Sequence, residues 1–197
     1  NGTYSEMGRQ YGHLLKEQIL WHFEELKNDF MVKTAGNNPV DQPAPLMNHD
    51  EVTALFMAGF YNGVPHHHKQ MIKGAVETSE LALEDMVFMD NMLQGVLYSA
   101  GIGGGGCTSA AVWGDASTDG RLYTGRNNDF GKSWRERLGR IAVVRITNPK
   151  DSDIRVAAFT RAGQVTTAID LMNNEGLYVE LNNAHRIRAL SLPTRMR

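Results

Sequence analysis

Four consecutive glycines run into the only cysteine of the chain at Gly103 to Cys107, and the hydrophobic period changes across that point. Upstream, apolar side chains recur every three or four residues; downstream, they fall in short runs separated by turn residues. In "YSEMGRQYGHLLKEQILWHFEELKNDF" the residues Met7, Tyr11, Leu14, Leu15, Ile19, Phe23, Leu26 and Phe30 form one stripe, opposed by Glu17, Glu24, Lys27 and Asp29. This predicts a single long amphipathic helix. "AGNNPVDQPAPLMN", with three prolines, ends it as a loop. Helices are predicted around 50–61, 66–80 and 83–99, the last apolar on several sides and therefore buried. After Gly106, "TSAAVWGDA", "RLYTGRNND", "RIAVVRIT", "IRVAAFTRAG", "VTTAIDLM" and "GLYVELNN" read as strands, divided by "STDG", "NPKD" and "NNEG" turns. Connections this short pair successive strands antiparallel. The class is α+β, helical first and sheet-forming second.

With 197 residues and 42% hydrophobic side chains, the chain suits one globular domain or part of a larger one. Its 20 basic and 22 acidic side chains leave no block of cations to track a phosphate backbone, so nucleic acid is a poor partner. No apolar run reaches the roughly 18 to 20 residues of a membrane-spanning helix, and "NGTYSEMGRQYGHLL" has no hydrophobic signal core. The chain reads as soluble. A lone cysteine excludes an intrachain disulfide and leaves the compartment open. A signal peptide removed before Asn1 would fit a periplasmic or secreted protein equally well.

A cysteine after a glycine run sits where the backbone takes unusual conformations and other groups approach closely. A strand starting at Cys107 and turning at Asp119-Gly120 returns antiparallel, which brings Arg126 and Asp129, 19 and 22 positions further on, back toward the thiol. A guanidinium there stabilises a thiolate, and a carboxylate accepts hydrogen bonds from an amine. The plainer reading makes Cys107 a small buried apolar residue and "RNND" an ordinary turn. Both readings stand at this point.

"GCTS" followed by "GRLYTGRNNDFG" resembles the start of the catalytic β-subunit in the cysteine branch of the N-terminal nucleophile (Ntn) hydrolases. That branch includes choloylglycine and penicillin V hydrolases, acid ceramidase, the N-acylethanolamine acid amidases and the isopenicillin N acyltransferase group. "GTYSEMGRQYGHLL" is similar to the N-terminal segment of the acyltransferase group. The resemblance implies an αββα sandwich of antiparallel sheets flanked by helices. It divides the chain into a helical α-segment, 1–106, and the N-terminal part of a catalytic β-subunit, 107–197. Relatives carry a further oxyanion asparagine and often an arginine beyond the point where this sequence stops, so the sandwich is expected to be truncated at the C-terminus.

The implied chemistry begins with self-cleavage between Gly106 and Cys107 by attack of the thiol on the preceding carbonyl. Cys107 then carries a free α-amine, with a reference pKa of about 7.7 to 8.0, as its own general base. By the same resemblance Asp129 holds that amine, Arg126 lies against the thiol and the substrate, and Asn182 contributes to the oxyanion hole. Asn183 is the alternative one residue on. Glu180 reads equally as a proton carrier at the precursor stage or as a solvent-facing strand residue. The implied reaction is hydrolysis of a linear N-acyl amide through an acyl-thioester, or acyl transfer from the same intermediate. No cofactor or metal is implied. The expected partners are a small N-acyl amide and the mutual association of the two cleaved fragments; homo-oligomerisation stays open.

Other features compete. Three adjacent histidines, His66, His67 and His68, point in different directions on a helix and do not converge on one ion, so they read as a polar helix start. "GIGGGG" lacks the Lys-Ser/Thr of a phosphate loop and precedes a strand. Met57, Phe60, Met86, Phe88 and Met92 read as core, although methionines also suit a pocket for flexible chains. A papain-like site needs a histidine, and His185 is the only one after the cysteine. A noncatalytic binding or structural protein with an inert cysteine is the contrasting reading.

Overall fold

The computed structural model describes residues 1–34, 49–99, 106–129 and 132–182. The helical part comprises α1 (Tyr4–Leu14), α2 (Lys16–Thr34), α3 (His49–Gly59), a 3-10 turn (Tyr61–Gly63), α4 (His66–Ser79) and α5 (Leu83–Ser99). The rest contains β1 (Gly106–Gly114), β2 (Gly120–Asp129), α6 (Lys132–Ile141), β3 (Ala142–Thr147), β4 (Val156–Arg161), β5 (Asp170–Asn173) and β6 (Tyr178–Glu180). The chain is thus a mixed α+β structure with two antiparallel sheets, a β1-β2 hairpin and a four-stranded meander β3-β4-β5-β6. No helix among the described residues is long and apolar enough to cross a membrane. The proline-rich 35–48 stretch and the glycines at 101–105 lie outside the described residues.

Two expectations about the helices need correction, and the strand read in "VTTAIDLM" begins only at Asp170, because the residues before it form a turn bonded to the helices. The single helix predicted from Tyr4 to Phe30 breaks at Leu15, whose φ of -112° and ψ of 12° leave the helical region. The break has a packing cause. α1 lies so close to α4 that a Cβ on Gly8 would meet the Met71 carbonyl, and one on Gly74 the Ser5 carbonyl, at less than 3.0 Å. α2 instead turns Ile19, His22, Phe23 and Leu26 into the core, while Leu14, assigned to the apolar stripe, ends α1 at 74% exposure. The second correction is α6. The strand expected from Arg140 begins only at Ala142, because a ten-residue helix runs directly into it. That helix is tied to α2 by Arg137–Glu25 at 3.2 Å and by Arg140 stacked over Trp21.

The core joins Met7, Tyr11, Ile72, Met86, Val87 and Phe88 of the helices to Ile141, Ala162 and Val165 beside the sheet. Of the apolar residues singled out in the sequence, Met86 and Phe88 are fully buried, Met57 packs against the core and Phe60 is exposed. The side chain of Met92 is outside the described residues. His66, His67 and His68 are the first residues of α4, with the His67 ring packed against Tyr4 and His68.

Buried polar side chains fasten the helices to residues 161–167, the turn after β4. Tyr11 donates to the carbonyls of Arg161 and Gln164 at 3.0 and 3.2 Å. Asp90 accepts from the Thr166 and Thr167 amides at 2.9 and 3.1 Å. Arg145 of β3 donates to the carbonyls of Gln164 and Val165. His22 Nδ1 donates to the Ala162 carbonyl at 2.7 Å, while Nε2 is buried with no hydrogen-bond partner among the described residues. A proton added at Nε2 would therefore be a buried charge without an acceptor, and burial holds the His22 pKa down at about 4.

That gives a pH prediction. The folded pKa lies below the unfolded value of about 6.5, so the stability associated with neutral His22 is complete above pH 6.5. It declines as the pH falls toward 4, by on the order of 3 kcal/mol. Urea unfolding of the parent should weaken between pH 6.5 and 5, and less steeply in His22→Gln. Comparing the two separates His22 from His68, which burial also lowers. Equal slopes would contradict the assignment.

Candidate functional site

The β1-β2 hairpin positions the thiol. Its register pairs Gly106 with Asp129, Cys107 with Asn128 and Ser109 with Arg126. Directly opposed residues share a face in an antiparallel pair, so Cys107, Ser109 and Arg126 project together. In the meander, Asp170 opposes both Phe159 and Glu180. Those side chains lie on the face opposite Ala158 and Thr160, which are buried. The hairpin meets the Asp170-Glu180 face.

Arg126 is the centre of that meeting. Its Nη2 donates to Cys107 Sγ at 2.8 Å and also to the Leu181 carbonyl. Its Nη1 donates to Asp170 Oδ1 at 2.8 Å, and its Nε to Asn182 Oδ1 at 3.2 Å. With 4% of its side chain exposed, against 18% for Asp170, the pair is well withdrawn from water, where a charge-assisted bond is stronger than at the surface.

Asn182 is held on every side. Because an arginine Nε can only donate, the amide oxygen faces Arg126, and the amide nitrogen donates to Ser109 Oγ at 3.0 Å and to Glu180 Oε1 at 2.7 Å. Glu180 also accepts from the Tyr178 hydroxyl at 3.1 Å. Glu180 therefore braces Asn182. Hydrogen bonds, chiefly from Ser109, hold its carboxyl below the usual range. Burial pushes the Asp170 carboxyl up, against the opposing pull of Arg126, and Glu180 adds to the rise. Behind the pair, Arg161 is buried, and burial, then the neighbouring charge of Arg126, brings its guanidinium down to about 10 while Cys107 acts in the other direction.

No family model and no curated protein matches the chain. The site is therefore read from its own geometry. Of the residues expected from the sequence, Cys107, Arg126 and Asn182 come together. Asp129 sits in register opposite Gly106, with its side chain outside the described residues, and Asn183 lies outside them altogether. Gly106, expected just before the site, is the first residue of β1. Asp170 was missed. It stands inside "TTAIDLMN" as an acidic residue in an apolar strand, and that mismatch was the available signal.

A buried guanidinium on a thiol, joined to an amide and a carboxylate, can stabilise negative charge on sulfur and orient a carbonyl for attack.

Proposed function

We propose that the chain is a cysteine-branch Ntn hydrolase, which cleaves a linear N-acyl amide through an acyl-thioester on Cys107. The observation that carries this reading is the 2.8 Å hydrogen bond from Arg126 Nη2 to Cys107 Sγ, made across a hairpin whose first strand begins one residue before the cysteine. An inert core cysteine has no use for a buried cation on its sulfur.

In this reading the precursor processes itself. Sγ adds to the Gly106 carbonyl carbon, the Gly106–Cys107 C–N bond breaks, and the thiol proton passes to the departing nitrogen. Water then hydrolyses the thioester, which leaves a carboxylate on Gly106 and a free α-amine on Cys107. In turnover that amine takes the thiol proton, Sγ attacks the substrate carbonyl, and the proton goes to the leaving amine. Water releases the acid. Asp129 orients the amine and Arg126 stabilises the sulfur. Asn182 supplies an oxyanion donor by exchanging Ser109 Oγ, a neutral acceptor, for the developing charge, while Glu180 keeps the stronger charge-assisted bond. The two sheets with their helices would be part of an αββα sandwich.

Intact mass tests the reading. The purified protein should appear as two fragments meeting between Gly106 and Cys107. They should co-elute on a native sizing column, because Tyr11, His22 and Asp90 of one fragment are bonded to residues 161–167 of the other. A panel of N-acyl amides then identifies the acyl group. A single uncut chain, inert to the panel, would defeat the proposal.

A further inference from the structure

We infer that Asp170 is the positioning residue that aims Arg126 at the Cys107 sulfur. The inference rests on the proposed hydrolase reading and adds to it a residue from the second sheet. An arginine side chain has four rotatable bonds, and a guanidinium donates equally well from either end, so one contact with sulfur does not fix its plane. Leu181 and Asn182 accept from Nη2 and Nε, but both are neutral. Among the described residues the charged acceptor is Asp170, which binds Nη1 at 2.8 Å, while Nη2 is the nitrogen bonded to Cys107.

The carboxylate thereby sets the rotation that turns Nη2 toward Sγ, and it offsets the burial of the cation. Asp170 itself is set from two directions. Its backbone is paired with Phe159 on one side and Glu180 on the other. It also follows the turn at 161–167, which the helices hold through Tyr11 and Asp90. The helical part thus reaches the thiol through the β4-β5 turn, Asp170 and Arg126. Asp170 bonds to Nη1 and Cys107 to Nη2 of the same guanidinium, so the role assigned to Asp170 passes through Arg126.

The test is a double-mutant cycle on the alkylation rate of Cys107 by iodoacetamide, a neutral probe, in the full chain as obtained. Asp170→Asn keeps the shape and removes the charge, and should slow alkylation about tenfold, the loss of one charge-assisted hydrogen bond. Asp170→Ser is a second removal, in case the asparagine variant misfolds; thermal melts identify which variants to use. In an Arg126→Gln background the same substitutions should change the rate by less than about twofold, because the group they act through is gone. A merely structural Asp170 would instead give additive losses, and that result overturns the inference. So does an unchanged rate in Asp170→Asn and Asp170→Ser.

Amide turnover by the parent separates this inference from the hydrolase reading. A non-additive cycle in a chain that cleaves no amide keeps the positioning role and removes the activity. An additive cycle in an active amidase does the reverse.

Discussion

Cys107→Ala should persist as one uncut chain and lose amide turnover by on the order of 10⁴-fold or more, the scale of removing a catalytic nucleophile. The substitution removes the sulfur and little else. Cys107 is only partly buried, and Arg126 keeps Asp170, Asn182 and the Leu181 carbonyl when Sγ is gone. Stability should therefore change by less than about 1 kcal/mol, and a lost function cannot be attributed to a lost fold. Cys107→Ser keeps an acceptor for Arg126 but offers a hydroxyl, which ionises far less readily than a thiol, so it should process slowly and turn over poorly. Intact mass and amidase rate are the measurements. Cleavage of Cys107→Ala at Gly106/Cys107 would show that the thiol is not the processing nucleophile and would sink the self-cleavage scheme. Full processing by the serine variant with normal amidase rate would do the same for the role of the thiolate.

Apart from Asn182, which the resemblance alone singles out, the part of the site that could be read from sequence is the part that one hairpin makes. Cys107 and Arg126 are 19 residues apart, on strands joined by a turn whose Asp119-Gly120 signal is local, so their pairing follows from period and turn chemistry. Asp170 is 44 residues from Arg126 and reaches it across two sheets, a relation no local pattern encodes. The helices divide similarly. Those around 50–61, 66–80 and 83–99 announce themselves by 3.6-residue periodicity and proline or polar boundaries, and the helices lie within about two residues of those bounds. The break at Leu15 has neither proline nor glycine beside it; it is imposed by how closely α4 approaches α1. α6 is hidden for the opposite reason: no turn residue separates Ile141 from Ala142, so the last two residues of the helix read as the start of the strand.

That close approach carries the second large prediction. A glycine within a helix usually lowers stability by roughly 0.5–1 kcal/mol relative to alanine, so sequence alone predicts that Gly74→Ala strengthens α4. The packing predicts the reverse. The added methyl would lie less than 3.0 Å from the Ser5 carbonyl and 3.0 Å from the Arg9 amide. Both are backbone of α1, which cannot swing aside as a side-chain tip can. Gly8 and Gly12 meet the carbonyls of Met71 and Ala75 in the same way, so the helices interlock in both directions and neither can retreat without opening the Met7-Tyr11-Ile72 core. Overpacking of this kind costs about 1–3 kcal/mol, at times more, which exceeds the propensity gain. Gly74→Ala should therefore be destabilised by on the order of 2 kcal/mol in urea unfolding. Gly139, inside α6, supplies the opposite sign within the same protein. Among the described residues a Cβ there meets nothing within 4 Å, so Gly139→Ala should gain up to about 1 kcal/mol. Two stabilised variants would mean that α1 and α4 stand further apart than described, and the packing cause given for the break at Leu15 would fail with them.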